Sequence, residues 1–191
     1  MKRDTTRALT GILLLGTALC TTPAAADYAE DRAEIEDLQA RYMFALDFRD
    51  AEAYAETFAP DGVLDYGAGK IAGREAIADM VTDMRAGEDE ARAADDSGMY
   101  PATGRHNITN IVIDVDGDTA TSYAYWFHYG NDNPERAAQI NSYGYYEDEL
   151  VRIDGEWLFT LRKIYNEQVE AWIGSLDNPV GNPGAGPGAG G

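Results

Sequence analysis

The stretch "TGRHNITNIVIDVDGDTATSYAYWFHYG" (103–130) predicts a β-hairpin. Two runs rich in β-branched and aromatic residues, 106–115 and 119–129, stand on either side of the turn sequence "DGD" (116–118). Because Asp-Gly pairs favour the tight turns that join antiparallel strands, we expect the two runs to pair with each other. The hairpin indicates that the second half of the chain forms a β-sheet.

The same composition continues towards the C-terminus, and helical patterns precede it. Residues 137–153 and 156–165 read as two more strands, with "DGE" (154–156) as their turn. Upstream, apolar residues at three- and four-residue spacing predict helices at 28–48, at 51–58 after the capping Asp50, and at 74–87 up to Gly87. A short strand is predicted at 63–66, and the acidic segment 88–104 is predicted to be a mobile loop or lid.

Helices followed by a long strand meander are typical of an α+β fold, with the helices on one face of an antiparallel sheet. A curved sheet that is capped by helices encloses a hollow, which suits a small molecule.

The two ends of the chain differ from the part between them. Residues 1–26 combine a basic start, an apolar stretch and a small-residue cleavage site, which predicts a signal peptide and a periplasmic or secreted protein. A lipid anchor on Cys20 is disfavoured, because the large Leu19 precedes it. The Pro/Gly-rich residues 177–191 predict a disordered tail, so that 27–176 form one domain.

The composition argues against several classes of function. A net charge of −19 argues against binding to nucleic acid or to an anionic membrane. The single cysteine lies in the predicted signal peptide and no serine lies in a G-x-S-x-G motif, so nucleophilic catalysis has little support. His106 and His128 lack zinc-site spacing, and the "DVDGD" turn lacks the Gly and Glu of a calcium loop. We therefore expect neither a metal nor an organic cofactor.

Acid–base chemistry is the reaction type that the remaining residues favour. His106 begins an apolar strand, and Asp47 lies near the end of the first helix, on the flank of its apolar stripe. An inward carboxylate is costly unless it is paired, and a histidine is its natural partner because the carboxylate orients the imidazole and makes it more basic. The alternative is structural, with His106 only capping the end of a strand.

A family resemblance adds to this interpretation. The segments that carry it are "EIEDLQARYMFALDFRDAEAYAETFAPDGVLDYG", "GREAIADM", "GRHNITNIVID", "GDTATSYAY" and "YGYYEDELVRIDGEWLFTLRKI". In this order the chain resembles the SnoaL-like branch of the NTF2-like superfamily over roughly residues 30–166. The resemblance implies a cone, in which a curved antiparallel sheet is wrapped by three helices around a deep pocket. Members include scytalone dehydratase, ketosteroid isomerases, polyketide cyclases and cofactor-free lyases, and many members only bind.

The resemblance also implies site residues. Asp47 and His106 match the Asp–His dyad of the dehydratase-like members, and Tyr66 falls where scytalone dehydratase has a tyrosine that orients its substrate. Ala124 takes the place of that enzyme's second histidine, and His128 follows four residues later. Catalytic roles are thus expected for His106, Asp47 and Tyr66. Substrate binding is expected for Arg162, which matches an active-site arginine, and for Tyr42, Tyr125, Trp126, His128 and Tyr146.

The expected function is that of a cofactor-independent lyase, a dehydratase or a related C–O or C–C elimination, on a small hydroxylated, aromatic substrate. An isomerase or hydrolase on the same fold is one alternative, and a non-catalytic small-molecule-binding protein is another. Because family members pair through the outer face of the sheet, a homodimer or homotrimer is expected.

Overall fold

The computed structural model describes residues 24–67, 69–175 and 177–181. The predicted signal peptide up to residue 23 and the predicted tail from residue 182 lie outside this part of the chain. The helices are α1 (Ala24–Phe48), α2 (Ala51–Glu56) and α3 (Arg74–Ala94), with a 3₁₀ turn at Glu170–Trp172. The strands are β1 (Phe58–Asp65), β2 (Lys70–Ala72), β3 (Gly104–Asp116), β4 (Thr119–Gly130), β5 (Gln139–Ile153) and β6 (Glu156–Asn166).

The six strands form one curved, open sheet in the order β2-β1-β6-β5-β4-β3. All neighbours are antiparallel except β1 and β6, which run parallel, with Leu64 opposite Arg162. The turns at "DGD" and "DGE" join β3 to β4 and β5 to β6, as predicted. β3 contains a bulge at Asn110, which has a φ of 55° and therefore bends the strand. The architecture is the predicted α+β cone.

The predicted C-terminal ends of two helices were wrong. Helix α2 ends at Glu56 and Phe58 begins β1, because the Thr57 hydroxyl bonds the Tyr54 carbonyl (2.6 Å) and the Thr57 carbonyl accepts from the Phe159 N–H (3.0 Å). These bonds stop the helix and join the chain to β6.

Helix α3 was also predicted to be too short, since it continues past Gly87 to Ala94. The ion pairs of Asp89 with Arg85 and Arg92 support its last turns, and a glycine inside a helix costs only about 1 kcal/mol. Residues 88–94, predicted as part of a loop, are therefore helical.

The core lies between the helices and one face of the sheet. Its largest fully buried apolar side chains include Tyr42, Tyr54, Phe58, Tyr146 and Phe159. The rings of Tyr42, Phe58 and Phe159 meet edge-on or tilted, 5.6–6.1 Å between centroids. No helix in the part of the chain that the structure describes is long and apolar enough to cross a membrane.

Candidate active site

The last turn of α1 and the first residues of β3 bring Asp47 and His106 together. His106 Nδ1 lies 2.6 Å from Asp47 Oδ1. The backbone N–H of His106 also donates to the same carboxylate, at 3.2 Å from Oδ1 and 3.0 Å from Oδ2. The Asp47 side chain is 7% exposed and that of His106 is 20% exposed. The carboxylate is thus shielded from water, whereas the imidazole remains accessible.

This contact defines the tautomer of His106. An ionised carboxylate can only accept, so Nδ1 carries the hydrogen and Nε2 keeps a lone pair that can take up a proton. Once that proton is taken up, the Asp47 charge stabilises the imidazolium. The bonds from the backbone N–H show that Asp47 also caps the start of β3.

His128 lies directly across from His106 in the β3–β4 register, and the two ring centroids are 4.5 Å apart. Two glycines make room for the His128 ring: a Cβ on Gly104 would lie 2.2 Å from its Nε2, and a Cβ on Gly130 would lie 3.2 Å from its Cε1. Burial lowers the pKa of His128 below its ordinary value, and the neighbouring His106 lowers it further. His128 is therefore an uncharged imidazole at neutral pH.

A cavity of about 760 Å³ opens beside the two histidines. Its wall includes Asp47, His106 and His128 together with the C-terminal half of α3 and residues 101–105. The volume falls in the range of small-molecule sites. Acid–base groups thus stand at the edge of a space that can hold a substrate.

Arg162, Tyr42 and Tyr146 lie in the core and do not line this cavity. Arg162 is 0% exposed and donates from Nε and Nη2 to Asp148 at 2.9 and 2.8 Å. Its guanidinium lies over the rings of Tyr42 and Tyr146, 4.2 Å from each centroid. Burial alone would lower the pKa of Arg162, but the Asp148 carboxylate outweighs this effect and raises it. The three residues form a buried support below the site.

The remaining predicted site residues lie in three different places. Trp126 is buried between the site and the core, with its ring 6.2 Å from that of His106 and 5.8 Å from that of Tyr146. Tyr66 is half-buried against Trp172 and is not among the residues around the cavity. Tyr125 lies on the opposite face of the sheet and is 57% exposed, because side chains alternate along β4 and Trp126 points inwards. It is therefore not among the residues around the cavity.

The arginines around the cavity were not predicted as site residues from the sequence. Arg49 and Arg105 both line it. Each stands within two positions of a dyad residue, and this proximity in sequence to Asp47 and His106 was the available signal. Gly104 was missed as well, because its role depends on where the His128 ring lies.

Within residues 24–67, 69–175 and 177–181, no group of three or more His, Cys, Asp or Glu side chains is arranged as a metal site.

Several solved structures are similar to this chain. A protein of unknown function from Mycobacterium tuberculosis, Rv3472, is 25% identical, with 79% of this chain and 80% of that chain covered and a TM-score of 0.64. An NTF2-like protein with a cystatin-like fold from Novosphingobium aromaticivorans is 25% identical, with 82% and 95% covered and a TM-score of 0.62.

A third structure carries a small molecule. It is a protein from Catenulispora acidiphila in complex with S-DNPA, which is 29% identical, with 73% of this chain and 96% of that chain covered and a TM-score of 0.59. No curated protein sequence matches the chain.

The SnoaL-like domain matches residues 27–163, which include every strand from β1 to β5 and most of β6. The match thus spans the helices, most of the sheet and both dyad residues. The chain belongs to the SnoaL-like domain family.

Proposed function

We propose that the protein is a cofactor-independent lyase that eliminates water, or a related leaving group, from a small hydroxylated aromatic substrate. The observation that carries the proposal is the 2.6 Å contact of His106 Nδ1 with Asp47 Oδ1 at the edge of the cavity. This contact leaves Nε2 of His106 as the general base.

The reaction follows from that geometry. Nε2 of His106 removes a proton from carbon, and the electrons of the C–H bond form the new double bond while the C–O bond breaks. The imidazolium, stabilised by Asp47, returns the proton to the departing hydroxyl, which leaves as water. The uncharged His128, 4.5 Å from the His106 ring, provides a second imidazole that can hydrogen-bond the substrate.

The known relatives support the binding part of the proposal. The Catenulispora acidiphila protein is described in complex with a small molecule, S-DNPA. By analogy, the cavity beside His106 is the place where this chain would hold its own ligand.

A second candidate function is small-molecule binding without catalysis. The observation that favours it is the capping of β3 by Asp47, whose two oxygens accept from the His106 N–H at 3.0–3.2 Å. If Asp47 only caps β3, it stabilises the fold and does not take part in catalysis.

Three variants separate the two functions in a turnover assay. The assay follows the conjugated product formed from aromatic compounds with a hydroxyl β to an acidic proton. His106→Ala and Asp47→Asn should each lower kcat by at least ~100-fold, because each removes the general base or its correct orientation. The double variant should be little worse than either single variant, because the two residues act as one unit.

Asp37→Asn is the matched control, since Asp37 is an exposed residue of the same helix, paired with Arg41. It should retain the wild-type kcat. If Asp47→Asn or His106→Ala also retains full activity on a substrate that the wild type turns over, the dyad has only its capping role and the lyase proposal fails.

A further inference from the structure

We infer that the cavity recognises a carboxylate on its ligand, and that Arg105, whose guanidinium lies over the Phe48 ring, is the residue that binds it. The inference rests on the proposed function in treating that ligand as the substrate, but the recognition itself is testable without turnover.

Positive charge is concentrated around the cavity. Five of the fifteen Lys and Arg residues of the chain line it, but only five of the 34 Asp and Glu residues do so. The arginines are Arg49, Arg85, Arg92, Arg105 and Arg136. In a protein with a net charge of −19, this is a locally balanced region on an acidic surface, where an anion meets less repulsion than elsewhere.

Four of the five arginines are already paired with carboxylates. Their pairs are Arg49 with Glu88 (2.5 Å), Arg85 with Asp89 (3.9 Å), Arg92 with Asp89 (3.7 Å) and Arg136 with Asp95 (3.2 Å). Among the residues that the structure describes, Arg105 has no carboxylate within salt-bridge distance. It is the cation that remains available to a ligand.

Arg105 is oriented by its own contacts. Its Nη1 donates to the Gly104 carbonyl at 2.5 Å, and its guanidinium lies over the Phe48 ring, 4.7 Å from the centroid. These two contacts restrict the guanidinium. Among the described residues its other N–H groups have no hydrogen-bond partner, so they can bind a planar carboxylate as a fork. Both Phe48 and Arg105 line the cavity.

The backbone is strained at two of the cavity arginines. Arg49 has a φ of 53° and Arg136 a φ of 52°, and they are two of the four non-glycine residues with positive φ in the described part of the chain. Glycine or asparagine is usual in this left-handed conformation, which is unfavourable for other residues. Arg49, just after α1, nevertheless adopts this conformation, lines the cavity and pairs with Glu88 of α3.

The charge count favours a monoanion. One unpaired guanidinium balances one carboxylate, whereas a dianionic phosphate would bring an excess negative charge close to Asp47 and Glu88. We therefore assign the site to a carboxylate and not to a phosphate.

Binding of matched probes tests the inference by calorimetry on the wild-type protein. trans-Cinnamate and trans-cinnamamide have the same shape and differ in charge. Cinnamate should bind at least about tenfold more tightly, because it gains charge-assisted hydrogen bonds, and added salt should weaken only cinnamate. Arg105→Gln should abolish this difference, and Arg41→Gln, an exposed arginine of α1 outside the cavity, should retain it.

Several outcomes would overturn the inference. They are equal affinity for the two probes, a preference that survives in Arg105→Gln, no detectable cinnamate binding at millimolar concentration, and tighter binding of phenyl phosphate than of cinnamate. His106→Ala should retain the preference for cinnamate while it loses turnover. Failure of the carboxylate site and failure of the lyase proposal are therefore distinguishable.

Discussion

At the scale of single residues, a glycine decides where the second imidazole of the cavity lies. A Cβ on Gly104 would lie 2.2 Å from His128 Nε2 and 3.0 Å from the Tyr129 carbonyl oxygen, so Gly104→Ala must displace the His128 ring. The Asp47–His106 contact involves neither atom and should survive. We expect kcat to fall by about 10–100-fold, as is typical when a polar group of an active site moves by about an ångström.

Steady-state kinetics and the NMR signal of the His128 imidazole measure this effect. The matched control is Gly87→Ala, where a Cβ would meet nothing within 4 Å inside α3. That variant should retain kcat and gain about 0.5–1 kcal/mol in free energy of unfolding, because alanine is the better helix former. An unchanged kcat and an unchanged His128 signal in Gly104→Ala would contradict the role of His128 in the site.

At the scale of elements, a buried polar network joins α1, β4, β5 and β6 beneath the site. Gln39 Nε2 donates to Ser122 Oγ at 2.9 Å, Ser122 Oγ donates to Asp148 Oδ2 at 3.0 Å, and Arg162 binds Asp148 through two hydrogen bonds. All four side chains are at most 1% exposed. Removing one charged member leaves its charged partner buried without a counter-ion, and the cost is therefore large.

Asp148→Asn should lower the free energy of unfolding by about 3–5 kcal/mol, because it leaves the Arg162 charge without a counter-ion in the core. Urea denaturation measures the change. The control is Asp37→Asn in the exposed pair with Arg41, which should cost less than about 1 kcal/mol. The double variant Asp148→Leu/Arg162→Met should be less destabilised than Asp148→Asn. A loss of less than 1 kcal/mol in Asp148→Asn would mean that Arg162 is accessible to water or to a ligand.

At the scale of the whole molecule, the outer face of the sheet carries exposed aromatic side chains. Tyr125, Tyr129 and Tyr143 are 57%, 42% and 43% exposed. Aromatic rings are enriched in protein–protein interfaces, and the expected homodimer or homotrimer would cover them. The oligomeric state stays a prediction.

Light scattering tests this prediction. The wild type should have the mass of two or three chains, and Tyr125→Lys should be a monomer, because it places a charge in the middle of the interface. Phe44→Lys is the control, since Phe44 is a 68% exposed aromatic residue of α1, away from the sheet's outer face. A monomeric wild type would refute the prediction. If only Phe44→Lys dissociates the oligomer, the interface lies on the helical side of the molecule and not on the sheet.

The local pattern of the sequence determined the order of the elements. Asp-Gly turns and β-branched runs act over a few neighbouring residues, and they correctly predicted both hairpins of the meander. The spacing of apolar residues predicted the three helices, but it did not predict where α2 and α3 end. The pairing of Asp47 with His106 followed from one helix-end carboxylate, one strand-start histidine and the family resemblance.

Contacts between residues far apart in the chain were decided only by the tertiary structure. The parallel pairing of β1 with β6 determines that Leu64 faces Arg162. Strand register, bulges and helix docking also decide three features of the site. They place Arg162 beside Asp148 in the core, they direct Tyr125 outwards, and they bring five arginines together around one cavity. The physical reason is the distance along the chain over which each effect acts. Secondary-structure propensity and turn chemistry act within a few residues. Side chains from five different segments meet at the cavity only after the sheet has curved and the helices have packed against it.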